Sequence, residues 1–278
     1  MEVVKIKAGG FCAGVRLAIE KARSAASVKG RAYAYSPLVH NEKVTSRLEA
    51  EGLLPFDREN LKANDPAFPV VLSAHGHPPA LEASLRAAGF EVVDATCPFV
   101  KANEEAIASS SRDHDIVYLG QPGHEEARAA VSFGRGRATL IDPSLPFEVP
   151  DGLKSPVIYV QTTLSGEDIE KALEAIGEKY PEAKLHRGPC RATEERQAAV
   201  KGLDSSFDLI VVVGSKNSAN ARALEKLAKG KGKTVLLVMG AEEIDTAAVR
   251  GKKKAAVIGA ASTDEREIDA VVETLKLI

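Results

Sequence analysis

Apolar residues along the chain gather in short unbroken runs, separated by longer stretches in which they recur every three or four positions. The runs are Val70–Ser73, Asp115–Leu119, Pro156–Gln161, Asp208–Val213, Thr234–Met239 and Ala255–Ile258. Short Val/Ile/Leu runs of this kind predict strands covered on both faces. The periodic stretches predict helices over Pro79–Ala88, Glu125–Ser132, Gly166–Lys179, Ala219–Ala228 and Asp264–Leu275. Strand and helix alternate, so the chain is expected to be α/β with mostly parallel sheets, because parallel neighbours need a crossover between them.

The segments VVLSAHGHPPALEASL, IVYLGQPGHEEARAAV and IVVVGSKNSANARALEKL share one layout of strand, polar glycine-containing loop and helix. In open α/β sheets, ligands collect at the carboxyl ends of strands against helix N-termini. Here those ends carry His75, then His124 with Glu126, then Ser218 with Asn220. The expected linkers are Asn64–Phe68, Ile141–Lys154 and Ala183–Pro189, and Lys252–Lys254 reads as a solvated loop before a strand.

Composition narrows the classes of function. A net charge of -2 gives no basic field for nucleic acid or an anionic membrane, and the absence of Trp removes the best base-stacking side chain. No apolar run approaches the ~20 residues of a membrane span. The N-terminus MEVVKIKAGGFCAGV lacks the apolar core of a signal peptide, so a cytoplasmic address is expected. Thiols stay reduced there.

The chain has three cysteines, Cys12, Cys97 and Cys190. Buried thiols are ordinarily small hydrophobes. These three, however, all stand just before a predicted helix: Cys12 in GGFCAGV, Cys97 in DATCPFV with Pro98 suited to a first helical position, and Cys190 in GPCRATEERQ. Helix N-termini stabilise the thiolate that binds metal. No C-x-x-C is present, which removes zinc-ribbon and thioredoxin readings. One cysteine per third of the chain suggests three similar lobes, 14–97, 98–190 and 191–278 with 1–13, the strand Val3–Lys7 joining the last. Three thiolates suit a four-iron cluster with one iron left open, since closed clusters take four cysteines. A mononuclear three-cysteine zinc site stays open as an alternative.

His40 in LVHN, His75 in SAHG and His124 in GHEE lie beside small or polar residues at strand ends, which favours an anion site over three unrelated structural histidines. His77 is ambiguous, and His114 and His186 read as surface residues. The loop GSKNSAN fits phosphate capture and helix capping equally well, and GAASTDE carries the same two readings. Glu126 fits a proton donor, or with Glu125 a favourable first helical turn. Thr162 in QTTLS fits substrate positioning or a cap.

Taken in order, GFCAGV, VHN, SAHG, DATCP, GH-x-E, QTTLS, C-x-AT-x-x-RQ, GSKNS-x-N and the terminal GAAS segment resemble the 4-hydroxy-3-methylbut-2-enyl diphosphate reductase family of the methylerythritol phosphate isoprenoid route, over roughly residues 5 to 275. The resemblance implies an oxidoreductase built as a trefoil of three small α/β lobes around a central 4Fe–4S cluster on Cys12, Cys97 and Cys190. It implies an allylic diphosphate held by His40, His75, His124, Thr162, Ser218, Asn220 and Ser262. Glu126, relayed through His124 and Thr162, would supply protons, and a ferredoxin- or flavodoxin-type protein the electrons. The products would be isopentenyl and dimethylallyl diphosphate, and the chain a monomer. Five positions depart from the family's commoner pattern: Glu104 where His is usual, Glu125 in place of Pro, Glu195 where Asn is frequent, Ala219 at a position that can be Ser, and Asp264 where Pro is usual. A three-cysteine enzyme of the quinolinate synthase type and a cluster-bearing sensor without turnover are the rival readings. The first lacks support from GSKNSAN and QTTLS, and the second has no use for Glu126.

Overall fold

A computed structural model describes residues 1–187 and 190–278. Gly188 and Pro189, which belong to the expected linker Ala183–Pro189 and to the motif before Cys190, lie outside the described residues. In chain order the strands and helices are β1 (Glu2–Lys5), α1 (Ala13–Lys29), β2 (Ala32–Ala34), α2 (Glu42–Ala50), β3 (Leu53–Pro55), β4 (Val70–Leu72), α3 (Pro79–Ala87), β5 (Val92–Asp94), α4 (Pro98–Ser110), β6 (Ile116–Leu119) and α5 (Glu125–Phe133). They continue with β7 (Ala138–Ile141), β8 (Val157–Val160), α6 (Gly166–Lys179), β9 (Lys184–Arg187), α7 (Arg191–Lys201), β10 (Leu209–Val213), α8 (Ala219–Lys229), β11 (Thr234–Val238), α9 (Thr246–Val249), β12 (Lys254–Gly259) and α10 (Glu265–Leu277).

The strands form three four-stranded sheets, ordered β1-β12-β10-β11, β3-β2-β4-β5 and β7-β6-β8-β9, with every described pairing parallel. The α/β class read from the alternating pattern is therefore the class observed. The N-terminal strand pairs with β12, so the sheet of the C-terminal third closes with the first residues of the chain. The segment Ala183–Pro189 is not a plain linker, because Lys184–Arg187 forms the edge strand β9. Its polar sequence KLHR hides it from a hydrophobicity reading, as edge strands often do. Nor is Lys254 in a loop: it opens β12, and its ammonium lies 4.8 Å from the Phe207 ring.

The backbone divides into two compact units. The first comprises Met1–Val15, Val39–Arg47 and Cys190–Ile278, and the second Arg16–Leu38 and Leu48–Pro189. In the first, β10 shows why an unbroken apolar run is a central strand. Leu209, Val211 and Val213 pack with Ile268, Val271 and Leu275 of α10, while Ile210 and Val212 pack with Val200 of α7 and Leu224 of α8. Successive side chains point to opposite faces, and both faces are covered. In the second unit, β6 does the same. Val117 and Leu119 meet the α6 residues Ile169, Ala172 and Ile176, whereas Ile116 and Tyr118 meet Ile107 of α4 with Ala127 and Ala130 of α5. That alternation delivers the Tyr118 phenol to the α4–α5 side. No helix among the described residues is long and apolar enough to cross a membrane.

Candidate active site

In the first unit, His40, Ser218, Asn220 and Ser262 come to the carboxyl ends of β10 and β12. The Ser262 hydroxyl donates to the His40 carbonyl at 3.2 Å, and Asn41 donates to the Ser262 carbonyl at 2.9 Å. Asn220 Oδ1 accepts the Ala261 N–H at 2.9 Å, which leaves its buried Nδ2 without a hydrogen-bond partner. A buried amide donor with nothing to donate to costs stability, and an anion would satisfy it. Ser218 caps α8 by accepting the Ala221 N–H, so the capping reading of this loop holds for Ser218. One neighbour was not expected. The Glu42 carboxylate accepts from Ser215 and Asn217 at 3.0 and 2.6 Å. Burial would raise its pKa, but these bonds and the His40 charge bring it below the usual range.

The second unit gathers His75, His124, Glu126 and Thr162. The His75 and His124 rings stand edge to face with centroids 5.6 Å apart. His124 caps α5, its Nδ1 accepting the Glu126 N–H at 3.2 Å. Glu126 is buried and accepts three bonds: the Thr162 N–H at 2.8 Å and the Tyr118 hydroxyl at 3.3 Å on Oε1, and the Thr162 hydroxyl at 2.9 Å on Oε2. Burial raises its pKa against the pull of the Thr162 bonds. Burial and the nearby Glu126 charge push the Tyr118 phenol well above its ordinary value.

Glu125 departs from expectation. It reads in the sequence as an ordinary first-turn residue turned away from Glu126. Instead its side chain is 17% exposed, and its Oε2 accepts the Ser73 hydroxyl at 2.9 Å and faces His75 Nδ1 at 3.2 Å. Burial alone would raise this carboxyl, but bonding to His75 and the His75 charge bring it down to about 2. Neighbouring helical residues do point in different directions. Here both directions lead to protein, one to His75 and one to Thr162.

Glu104 is the other residue whose surroundings the sequence did not disclose. It lies 4% exposed on the inward stripe of α4 with Val100, Asn103 and Ile107, and its Oε1 has no hydrogen-bond partner. Burial first, then the Asp94 and Glu126 charges, push its pKa up to about 8. The stripe itself was the available signal: positions 100, 103, 104 and 107 share a helix face. The remaining departures are local. Asp264 caps α10 and accepts from Arg47 at 2.5 Å, Ala219 is a buried first residue of α8, and Glu195 pairs with Arg191 at the surface.

The raised Glu104 value has a consequence for stability. Below pH 4.5 the group is neutral in both states; between there and about pH 8 the folded chain keeps a proton that the unfolded chain releases. Stability therefore falls as pH rises through that window, by on the order of 3–5 kcal/mol in total. Glu104→Gln is expected to remove this slope. Urea midpoints of wild type and variant at pH 5 and pH 8 test it, and parallel slopes would refute the assignment.

Each cysteine sits at a helix start, half-buried and outside any disulfide. Cys97 and Cys190 are the N-cap residues of α4 and α7. Cys12 immediately precedes α1, and its sulfur accepts the Val15 N–H at 3.5 Å. Within the first unit, the Cys12 loop is tied to helix α7, which starts just after Cys190, and to the loop after β12. Arg196 of α7 donates to the Gly10 carbonyl at 2.5 Å, and the Cys12 N–H donates to the Ala261 carbonyl at 3.0 Å. Half-buried reduced thiols at helix N-termini are a donor set suited to iron–sulfur ligation. Among the described residues, no group of three His, Cys, Asp or Glu side chains stands ready to hold a single metal ion.

Comparison with known proteins matches residues 3–276 to the model of the family described as LytB protein. A 4-hydroxy-3-methylbut-2-enyl diphosphate reductase of Symbiobacterium thermophilum is 35% identical, over 99% of this chain and 97% of that relative. One of Aquifex aeolicus is 30% identical, over 100% of this chain and 97% of the relative. Among solved structures, the E-1-hydroxy-2-methyl-but-2-enyl-4-diphosphate reductase of Plasmodium falciparum superposes with a TM-score of 0.89 at 27% identity, covering 98% of this chain and 87% of that one. A second solved reductase, described as the terminal enzyme of the non-mevalonate pathway, gives a TM-score of 0.69 at 28% identity with full coverage of both chains.

Proposed function

The chain belongs to the LytB protein family, and from that premise we propose that it is a 4-hydroxy-3-methylbut-2-enyl diphosphate reductase. It replaces the allylic hydroxyl of its substrate by hydrogen, consuming two electrons and two protons and releasing water, isopentenyl diphosphate and dimethylallyl diphosphate. The single observation that carries this reading is the buried Glu126 carboxyl, fastened by both donors of Thr162. Hydroxide is a poor leaving group, and a positioned acid is what its departure needs.

Cys12, Cys97 and Cys190 hold a 4Fe–4S cluster in this reading, which their donor chemistry supports. When bound, such a cluster supplies single electrons and one iron without a protein thiolate that serves as a Lewis acid. His40, Ser218, Asn220 and Ser262 bind the diphosphate, together with His75 and His124; the unpaired Asn220 amide supports that role. Thr162 orients the hydroxyl that leaves, and Glu126 gives it the proton that makes it water, with His124 fixing the start of α5. The electrons come from a ferredoxin- or flavodoxin-type donor. The lobe boundaries near residues 97 and 190 and a cytoplasmic address belong to the same proposal.

Anaerobic incubation of the purified chain with 4-hydroxy-3-methylbut-2-enyl diphosphate and a chemical reductant tests it. The expected result is both five-carbon diphosphates in the product. An iron-replete chain that leaves the substrate untouched would overturn the proposal.

A further inference from the structure

Three loops of the first compact unit carry His40, Ser262, and Ser218 with Asn220, and hydrogen bonds join these loops in pairs. The His40 loop meets the loop after β12 twice: the Ser262 hydroxyl donates to the His40 carbonyl, and the Asn41 amide donates to the Ser262 carbonyl. The loop after β12 meets the β10–α8 junction where Asn220 Oδ1 accepts the Ala261 N–H. Glu42 closes the third side. Its Oε1 accepts the Ser215 hydroxyl at 3.0 Å and the Asn217 side-chain amide at 2.6 Å.

Local chemistry puts Glu42 there. Asn41 Oδ1 accepts the Val44 N–H at 3.2 Å, the bond of an N-cap, and Glu42 opens α2 one residue later. An acid is favourable in a first helical turn. That alone would leave the carboxylate to solvent, whereas this one holds the turn Ser215–Ser218. Within the turn, the Ser215 hydroxyl accepts the Asn217 N–H at 2.9 Å, and the Ser215 carbonyl accepts the Ser218 N–H at 3.0 Å. Ser215 is buried and has one hydroxyl proton, which goes to Glu42, so the carboxylate fixes the rotor on which the turn closes. The turn leads into Ser218, the N-cap of α8, and Asn220 with its unpaired amide. A negative charge two residues from His40 opposes an anionic ligand, so any benefit lies in what the carboxylate holds.

We propose that Glu42 is a positioning residue for the diphosphate: it closes the ring of three loops and so holds Ser218 and Asn220 in register with His40 and Ser262 before the ligand arrives. The proposal deepens the reductase reading and rests on it. Ordering a binding loop in advance lowers the cost of association. The benefit is equal in the ground state and the transition state, so it shows in KM and not in kcat. Glu42 touches no reacting atom.

Calorimetry with inorganic pyrophosphate on the iron-replete chain reads the site without turnover, and steady-state kinetics with 4-hydroxy-3-methylbut-2-enyl diphosphate read it with turnover. Glu42→Ala is expected to weaken pyrophosphate binding and raise KM roughly tenfold, with kcat and thermal midpoint kept. Glu42→Gln retains an Oε1 acceptor for both bonds and should recover most of the lost affinity. Asn217→Ala should weaken binding less than Glu42→Ala does. The double variant should be little worse than Glu42→Ala, because the bond the two residues share is already gone. A merely structural part for Glu42 would lower the thermal midpoint and kcat together. Wild-type pyrophosphate affinity in Glu42→Ala, additive losses in the pair, or a Glu42→Gln as weak as Glu42→Ala overturns the proposal and leaves the reductase reading intact. A wild-type chain that binds no pyrophosphate also overturns it. A chain that shows the expected pyrophosphate series yet reduces no diphosphate overturns the reductase reading and keeps Glu42 as the positioning residue of an anion site.

Discussion

Cys97→Ser is expected to yield a folded chain that has lost most of its iron and sulfide and at least about a hundredfold of its turnover. The size follows from comparison: even outer-shell partners of metal ligands are worth roughly 10–100-fold, and a direct thiolate is worth more. The substitution isolates ligation from folding. Cys97 is the N-cap of α4, yet its side chain makes no capping hydrogen bond, and Pro98 fixes the first helical position behind it. Serine is among the best N-cap residues, so α4 should start as well or better in the variant. The same logic covers Cys190, whose side chain also makes no cap bond at the start of α7. Iron and sulfide content, visible absorption and the thermal midpoint separate the outcomes. A variant with wild-type iron and sulfide would show that Cys97 is not a ligand. A wild-type chain that carries zinc without sulfide would favour the mononuclear site.

The strands that the sequence disclosed are mostly those buried on both faces, although the edge strands β1 and β11 were also legible, as Val3–Lys7 and as the apolar run Thr234–Met239. The strands β4, β6, β8, β10 and β12 are interior to their sheets, and each announces itself as an apolar run because helices cover it above and below. The strands β3, β5, β7 and β9 lie at edges. They are three or four residues long, and the largely polar sequence of Lys184–Arg187 reads as loop. Pairing on one side is enough to make such a segment a strand, and pairing is a property of its neighbour rather than of its own residues. The interior strand β2 was hidden for a different reason, since Ala32–Ala34 offers too few side chains for a period to appear.

The site divides along a similar line. Cysteines before helices, histidines at strand ends and the capping serine are local features, and the structure finds Cys97, Cys190, His124 and Ser218 at N-caps. What stayed hidden is what a side chain meets across the fold. Glu125 reads as a favourable first-turn acid, but the loop after β4 brings Ser73 and His75 onto its carboxyl. Glu104 reads as one more charge on a helix, and its meaning depends on a glycine 28 residues earlier that leaves room for it. These contacts fix electrostatics, so charge state was the least legible property of the site.

Glu126→Gln is expected to keep iron, sulfide and diphosphate binding while turnover falls by roughly 10²–10⁴, the range for losing a positioned general acid. The isostere fits the contacts. An amide oxygen in place of Oε1 still accepts the Thr162 N–H and the Tyr118 hydroxyl, and an NH₂ in place of Oε2 donates to the Thr162 oxygen once that hydroxyl rotates. The second N–H of the amide has no partner among these contacts, so the thermal midpoint of the variant is measured beside its cluster content to separate loss of the acid from loss of stability. The same rotation explains the part given to Thr162. When Glu126 is protonated, its O–H must donate, and the Thr162 oxygen at 2.9 Å is there to accept. The Thr162 hydroxyl is then free to point its own proton onward. Thr162→Val keeps the N–H bond to Oε1, removes the relay, and should lose turnover in the same direction with a smaller effect on stability than a charge left unpaired. Glu125→Gln is no silent control, because Glu125 orients His75; its signature is a raised KM, whereas that of Glu126→Gln is a lowered kcat. Steady-state kinetics of the three variants, with cluster content measured on each, separate the roles. If Glu126→Gln with a full cluster retains most of its kcat, Glu126 does not deliver the proton.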